Sequence, residues 1–340
     1  MENSQLYRNA YDRTSAANGA AAKKDRKVVL VGTGFVGMSM AYTFLSTGGV
    51  DELVLIDVNE EKAIGEAMDL QHGLPYARNH MNIKAGGYEE CSDAEIVVIT
   101  AGAAQKPGET RLDMTATNAR IMKNVCEKIM KSGFDGILIV ASNPVDLMAY
   151  VAYRVTGLPA ARVIGSGTIL DTARLRYMMS EYVDVSPSNI HALVMGEHGD
   201  SSFIPWSHAY LGAKNLVEYL KETGRDLSFL DEIYRQVQQA AYEIINRKKS
   251  TYYGIGLALN RLVQAILNHE NTLLTLSVLQ RGEYGQEDLF IGVPTIVNHD
   301  GIREILKLRL SDGDQARFDQ SAAIMKDIIE STIRPVLSER

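Results

Sequence analysis

The sequence has little cysteine and tryptophan, with two cysteines and one tryptophan among 340 residues. Cys91 and Cys126 have no CxxC spacing and no adjacent histidine, so neither a disulfide framework nor a metal site is expected, and a reducing cytoplasm is the predicted compartment. Lysine and arginine (35) are outnumbered by aspartate and glutamate (42), giving a formal charge of −7. This balance offers no electrostatic reason to bind nucleic acid or an acidic membrane.

One uncharged run, the 23 residues from Val28 to Val50, is long enough to span a bilayer. It contains five glycines and five serine or threonine residues, which favours a strand, a tight turn and a buried helix. Residues 1–26 contain no apolar segment typical of a secretory signal, and we expect them to form a flexible tail.

Strand-like and helix-like segments alternate from Lys27 to about residue 165, which predicts right-handed βαβ units and a parallel sheet. Beyond that point the pattern changes to helices, with strand-like Ile190 to Met195 and a hairpin-like segment from Thr272 to Val297. The sequence therefore predicts an α/β protein in which residues 27–165 form a doubly wound parallel sheet. Residues 166–340 are expected to form an α+β domain.

The segment VVLVGTGFVG places three glycines between a predicted strand and a predicted helix. Gly32 permits a tight turn, Gly34 lets the backbone approach a pyrophosphate, and Gly37 allows the helix to pack closely on the strand. Asp57 closes the next strand, where its carboxylate suits a ribose hydroxyl and repels a 2′-phosphate. The pattern predicts NAD as the cofactor, and a structural glycine turn with a capping aspartate is the alternative.

Three ionisable residues suit proton transfer and carboxylate binding. His198 lies between glycines just past a predicted strand, where an imidazole can exchange a proton near neutral pH. Asp171 and Arg174 share a helix face, from which the aspartate can orient an imidazole and the arginine can bind a substrate carboxylate. Taken singly, these segments are also consistent with a polar loop and an intrahelical ion pair.

Two loops follow buried strands, at the edge where doubly wound sheets bind ligands. We expect the polar loop from Gly102 to Arg111 to close as a lid and bring Arg111 to a reacting carbonyl, with a solvated surface loop as the alternative. In the second loop Asn143 can donate to the carbonyl oxygen, and its bond to Pro144 is a candidate cis peptide.

Together the His198 segment, the helix with Asp171 and Arg174, and the two loops resemble the L-lactate and malate dehydrogenase family, and the likeness extends from Lys27 over nearly the whole chain. The resemblance implies a Rossmann-type sheet and hydride transfer between NADH and a 2-keto acid. It implies that His198 is the acid/base, Asp171 orients it, Arg174 binds the substrate carboxylate and Arg111 polarises the carbonyl. It places Asn143 and Thr251 against the substrate, and it assigns to the cofactor site Gly32, Thr33, Gly34, Phe35, Val36, Gly37, Asp57, Lys62, Tyr88, Gly102, Ala103, Ser142, Asn143 and Ile255.

The expected substrate follows from Gln105, at the loop position that faces the substrate side chain in this family, where malate dehydrogenases have arginine. A neutral glutamine offers no counter-charge to a second carboxylate, and an unpaired charge in a closed site is costly. We therefore expect pyruvate and L-lactate as substrates. Malate or another 2-hydroxy acid is the alternative.

Arg176 and His191 match positions that bind fructose 1,6-bisphosphate across a subunit interface in bacterial lactate dehydrogenases. The resemblance thus implies activation by this sugar bisphosphate and a homotetramer. The alternative is that Arg176 makes a surface ion pair and His191 is an ordinary strand residue.

Thr33 stands where alanine is common in the family, a change that the turn tolerates.

Two other classes of protein remain open on the residues alone. An NAD-dependent glycoside hydrolase on a related fold would need a metal held by cysteine and histidine, and neither cysteine lies in a catalytic segment. A catalytically silent cofactor-binding protein is disfavoured because every charged catalytic position is filled.

Overall fold

Six parallel strands form one part of a nine-stranded sheet in the computed structural model, which describes residues 26–103 and 111–339. Their order across the sheet is β3-β2-β1-β4-β5-β6, which is the order of the doubly wound dinucleotide-binding fold. The predicted α/β fold with a Rossmann-type sheet is confirmed. The strands are β1 (Lys27–Val31), β2 (Glu52–Ile56), β3 (Asn82–Ala85), β4 (Ile96–Ile99), β5 (Ile137–Val140) and β6 (Val163–Gly165).

Helices alternate with these strands and cover both faces of the sheet. The central strands β1, β4 and β5 are buried along their full length, as expected for a parallel sheet packed on both sides. Asn59 caps the second helix, because its side chain accepts a hydrogen bond from the backbone of Lys62 at 3.2 Å. The helices are α1 (Phe35–Thr47), α2 (Glu60–Gly73), α3 (Arg111–Lys131), α4 (Val145–Thr156) and α5 (Ile169–Val183).

Two glycines fix the turn between β1 and α1. Gly32 has φ of +105°, a conformation that side chains disfavour, and a Cβ there would lie 2.6 Å from the backbone nitrogen of Ala101. A Cβ on Gly37 would lie 2.3 Å from the carbonyl oxygen of Gly32. The glycine spacing therefore lets α1 start directly above the end of β1.

The second half of the chain extends the same sheet with three antiparallel strands. They are β10 (Thr272–Arg281), β11 (Glu287–Asn298) and β12 (Gly301–Ile305), and β10 joins the parallel part where Ser277 pairs with Gly165 of β6. A separate small sheet contains β7 (Ile190–His191), β8 (Tyr210–Leu211) and β9 (Lys214–Asn215). The remaining helices are α6 (Leu216–Glu222), α7 (Phe229–Lys248), α8 (Tyr253–Leu267), α9 (Asp312–Ile328) and α10 (Arg334–Ser338).

The strand expected over Ile190 to Met195 is wrong beyond His191, because the chain leaves the small sheet there. The backbone N–H of Val194 donates instead to the hydroxyl of Thr172 at 3.0 Å. Met195 makes an isolated bridge with Phe203. The backbone of Val194 and Met195 is thus hydrogen-bonded to a side chain and through an isolated bridge, without a continuous strand.

The C-terminal helix packs on the body of the protein and is interrupted. A π-helical turn, Ile329–Ile333, separates α9 from α10. Within the described ranges, no helix combines the length and apolar character that crossing a membrane requires.

Candidate active site

His198 and Arg174 contact the two oxygens of one carboxylate. Nδ1 of His198 lies 2.6 Å from Oδ2 of Asp171, and Nη1 of Arg174 donates to Oδ1 at 2.8 Å. Asp171 and Arg174 lie one turn apart on α5, and the Asp171 and Arg174 side chains are 10% and 12% exposed. The intrahelical ion pair is therefore present, and it shares its carboxylate with the histidine.

The same geometry sets the charge of the imidazole. Burial opposes protonation of His198, but the Asp171 carboxylate outweighs it and raises the histidine pKa. The pKa of Asp171 is lowered: burial works against ionisation, while His198 and Arg174 favour it. Because Asp171 faces Nδ1, the other ring nitrogen, Nε2, is the atom left to exchange a proton with a ligand.

A second carboxylate holds the backbone of His198, and sequence reasoning did not single it out. Oδ2 of Asp146 accepts a hydrogen bond from the His198 backbone N–H at 2.8 Å. Asp146 is 2% exposed, on the first turn of α4, and burial raises its pKa to about 6. Its sequence position gives no signal, because an acidic residue in a first helical turn is common for local reasons alone.

A cavity of about 690 Å³ opens at the carboxyl ends of β1, β2 and β4. A Cβ on Gly34 would meet no atom of the described residues within 4 Å, so this glycine leaves its backbone open to the cavity, as approach of a pyrophosphate requires. Tyr88 forms part of the wall, and burial raises its pKa to about 12. The predicted cofactor residues that line the cavity are Gly32, Gly34, Asp57, Lys62, Tyr88, Gly102 and Ala103.

Asp57 lies just past β2 and is hydrogen-bonded to the glycine turn. Oδ2 accepts from the backbone N–H of Thr33 at 2.7 Å and from its hydroxyl at 2.9 Å. Oδ1 accepts from the backbone N–H of Asn59 at 3.0 Å. Lys62, which also faces the cavity, donates from Nζ to the carbonyl oxygen of Thr33 at 2.6 Å. These residues fit the ribose end of a dinucleotide.

The loops after β4 and β5 are joined by a buried residue that the sequence analysis also missed, Asn118 of α3. Its Oδ1 accepts from the backbone N–H of Ala103 at 2.8 Å, and its Nδ2 donates to the carbonyl oxygen of Asn143 at 2.9 Å. The hydroxyl of Ser142 donates to the carbonyl oxygen of Ala101 at 2.6 Å, so it orders the loop. Asn143 is exposed, and its bond to Pro144 is cis.

An aromatic stack connects the glycine turn to the segment that contains Thr251. The ring of Phe35, at the start of α1, stacks on Tyr252 with 5.1 Å between centroids. Thr251 is partly buried and precedes α8, while Ile255 packs on the core from the first turn of that helix, as does Val36 from α1. Predicted cofactor and substrate residues therefore lie side by side.

The geometry of two predicted substrate-binding residues lies outside the described residues. Gln105 and the side chain of Arg111 lie outside the residues that the structure describes, although Arg111 begins α3.

Arg176, two residues after Arg174, is partly buried and donates from Nε to the carbonyl oxygen of Ala192 at 3.1 Å. His191 precedes Ala192 and is exposed, so the two predicted regulatory residues are neighbours.

A doubly wound sheet with a dinucleotide cavity, together with a histidine paired with aspartate, defines an NAD-dependent oxidoreductase. Residues 26–165 match the NAD binding domain of lactate/malate dehydrogenase, and residues 168–335 match its alpha/beta C-terminal domain. The chain belongs to the lactate/malate dehydrogenase family. This membership decides against the glycoside hydrolase alternative.

Individual relatives are close in both sequence and structure. L-lactate dehydrogenase 1 of Bacillus cereus is 51% identical over 312 residues, which cover 92% of this chain and 98% of the relative. A lactate dehydrogenase from a Medee basin deep-sea metagenome library has a TM-score of 0.89 and 52% identity, over 91% of this chain and 99% of that one. The ligand-bound minor L-lactate dehydrogenase of Enterococcus mundtii has a TM-score of 0.89 and 48% identity over the same shares.

Proposed function

We propose that this protein is an L-lactate dehydrogenase that reversibly reduces pyruvate to L-lactate, with His198 as the acid/base. The observation that carries the proposal is the contact of 2.6 Å between Nδ1 of His198 and Oδ2 of the buried Asp171. The relatives named above, at about half identity over nearly the whole chain, support the reaction.

The bound cofactor, as NADH, supplies the hydride. In the reducing direction, protonated His198 donates its Nε2 proton to the carbonyl oxygen of pyruvate, while Nδ1 remains bonded to Asp171. In the reverse direction, neutral Nε2 accepts the proton from the hydroxyl of lactate. The raised pKa of His198 favours the protonated imidazole that the reduction needs.

Arg174 binds the substrate carboxylate in this proposal. Its ion pair with Asp171 uses one donor of the guanidinium, which has five. The others can form the paired hydrogen bonds that carboxylates favour. Arg111, from the segment after β4, polarises the carbonyl, Asn143 donates to it, and Thr251 contacts the substrate.

The experiment follows the loss of NADH absorbance with pyruvate and, separately, with oxaloacetate. We expect pyruvate to be preferred, and we expect His198→Asn to lower kcat/KM by roughly 100-fold to 10,000-fold while NADH still binds, as measured by fluorescence. Equal use of oxaloacetate would contradict the assigned substrate. An active Asn variant would remove the role of His198.

We also propose that fructose 1,6-bisphosphate activates the enzyme through Arg176 and His191. The support is their proximity, since Arg176 bonds the residue that follows His191. A guanidinium and an imidazole repeated across a symmetric interface would suit two phosphates.

A homotetramer is the assembly we propose. Helices α1, α2 and α8 leave large hydrophobic side chains exposed, namely Tyr42, Ile64, Met68, Tyr253 and Leu257, and α1 packs against both of the other helices. Exposed apolar patches of this kind mark contact surfaces. Sedimentation should give a tetramer, and Met68→Arg should shift it to smaller species; a monomeric wild type would contradict the proposal.

A further inference from the structure

Thr33 makes more contacts than a spacer between two glycines needs. It is 1% exposed. Its backbone N–H and its hydroxyl both donate to Oδ2 of Asp57, at 2.7 Å and 2.9 Å. Its carbonyl oxygen accepts from Nζ of Lys62 at 2.6 Å. The residue therefore connects the turn to both charged groups at the ribose end of the cavity.

The hydrogen bonds of Asp57 leave it little freedom. A carboxylate accepts about four hydrogen bonds, two on each oxygen. Thr33 supplies two to Oδ2, and the backbone N–H of Asn59 supplies one to Oδ1 at 3.0 Å. Counting the described residues, one acceptor position remains, on Oδ1. These donors also lower the pKa of Asp57, although its burial acts in the opposite direction.

We propose that Thr33 is a positioning residue for cofactor choice, whose hydroxyl holds the Asp57 carboxylate in the orientation that accepts a ribose hydroxyl and excludes a 2′-phosphate. The backbone N–H of any residue at this position can make the first bond to Oδ2. The second bond needs a hydroxyl, so alanine at this position would lack it.

The orientation of the Asp57 carboxylate matters because Lys62 lies at the same end of the cavity. Its ammonium group lines the cavity together with Asp57 and lies close enough to lower the pKa of that carboxylate. A 2′-phosphate would therefore meet an anion and a cation at the same end of the site. If the carboxylate turned away, Lys62 would become a partner for the phosphate. Turning the Asp57 carboxylate away breaks its hydrogen bonds to Thr33 and Asn59, which costs free energy. The Thr33 hydroxyl raises this cost, because it adds one hydrogen bond that must break.

The test compares Thr33→Val, which keeps the branched shape and loses the hydroxyl, with Thr33→Ser, which keeps the hydroxyl. Dissociation constants for NADH and NADPH are measured by fluorescence titration without keto acid, so the result does not depend on the substrate. We expect Thr33→Val to reduce the preference for NADH about three- to tenfold, the value of one hydrogen bond. The Ser variant should keep the preference within about twofold of the wild type.

Asp57→Asn is the positive control and should lose more of the preference than Thr33→Val. Thr33→Ala provides a second test without the hydroxyl if the valine variant does not fold, as judged by its thermal transition. The proposal is overturned if the folded variant without a hydroxyl keeps the wild-type ratio of affinities. It is also overturned if Thr33→Ser changes the ratio as much as Thr33→Val, since packing would then be the cause.

Discussion

The backbone N–H of His198 donates to Oδ2 of Asp146 over 2.8 Å. The imidazole of the same histidine contacts Asp171 on α5, so carboxylates from two different helices hold this residue. One fixes the ring and the other fixes the loop that carries it. Because a proton donor must stay within hydrogen-bond reach of its acceptor, both contacts bear on the proton transfer proposed for His198.

Asp146→Asn should change how stability depends on pH. Burial raises the pKa of Asp146 to about 6 from its ordinary 3.8, so between these values the folded chain holds a proton that the unfolded chain releases. The contribution of Asp146 to the free energy of unfolding therefore falls as pH rises through this window. The free energy of unfolding of the wild type minus that of the Asn variant should decrease by up to about 3 kcal/mol between pH 4 and 7.

Urea unfolding at several pH values measures this difference. Asp69→Asn, at an exposed position on α2, is the matched control and should change far less. If the free energy of unfolding of the wild type minus that of Asp146→Asn rises with pH, the Asp146 carboxylate is stabilised as an anion, which contradicts the prediction.

Asp171→Asn should move the pH profile of pyruvate reduction. Burial lowers the pKa of His198, and the Asp171 charge is the main influence that raises it. Reduction needs the protonated imidazole, so activity is lost as pH rises through the histidine pKa. Without the charge this loss should begin at lower pH, with a fall of roughly tenfold or more in kcat/KM at neutral pH. A profile with an unchanged midpoint would mean that Asp171 acts only on orientation.

The fold and most of the site follow from local sequence patterns. The buried strands and the glycine turn predict the doubly wound sheet, because each βαβ unit is built from neighbouring segments. The pairing of Ser277 with Gly165, which adds β10 to that sheet, joins residues more than a hundred positions apart. No local periodicity predicts which strand edge a distant hairpin meets.

The missed residues share a similar cause. Asp146 and Asn118 lie on helices, where a polar side chain is unremarkable until the fold shows what it contacts. Asp146 bonds the backbone of a residue 52 positions away, and Asn118 bonds two loops that follow different strands. A backbone contact requires no particular partner side chain, so the sequence contains no matching residue to reveal it.

Gln105→Arg should shift substrate preference toward oxaloacetate. Charge is the reason, since an arginine at the position that faces the substrate side chain in this family pairs with a second carboxylate. We expect the ratio of kcat/KM for oxaloacetate to that for pyruvate to rise about 100-fold, equivalent to about 3 kcal/mol. Gln105→Met, which adds no charge, is the control and should leave the preference for pyruvate. An unchanged ratio in the arginine variant would remove Gln105 from the specificity argument.

Arg176→Gln should abolish activation by fructose 1,6-bisphosphate. In the wild type we expect the sugar bisphosphate to increase the rate at subsaturating pyruvate, because in the proposed site its phosphates bind this guanidinium and His191. Arg162→Gln, which removes an arginine paired with Asp135 on another surface, should retain the response. A wild type that does not respond would end the hypothesis, and a response in Arg176→Gln would place the phosphates elsewhere.

Lys249→Gly should stabilise the protein. Lys249 follows the last residue of α7 with φ of +75° and is exposed, and a left-handed conformation costs a residue with a side chain roughly 1–2 kcal/mol. Glycine removes this strain but gains entropy in the unfolded chain, so we expect a net rise of about 0.5–1 kcal/mol in the free energy of unfolding. Asn246→Gly, at an exposed position inside the same helix, is the control and should lower stability by a few tenths of a kcal/mol. Urea unfolding compares the two, and a loss at both positions would show that the left-handed lysine carries no strain.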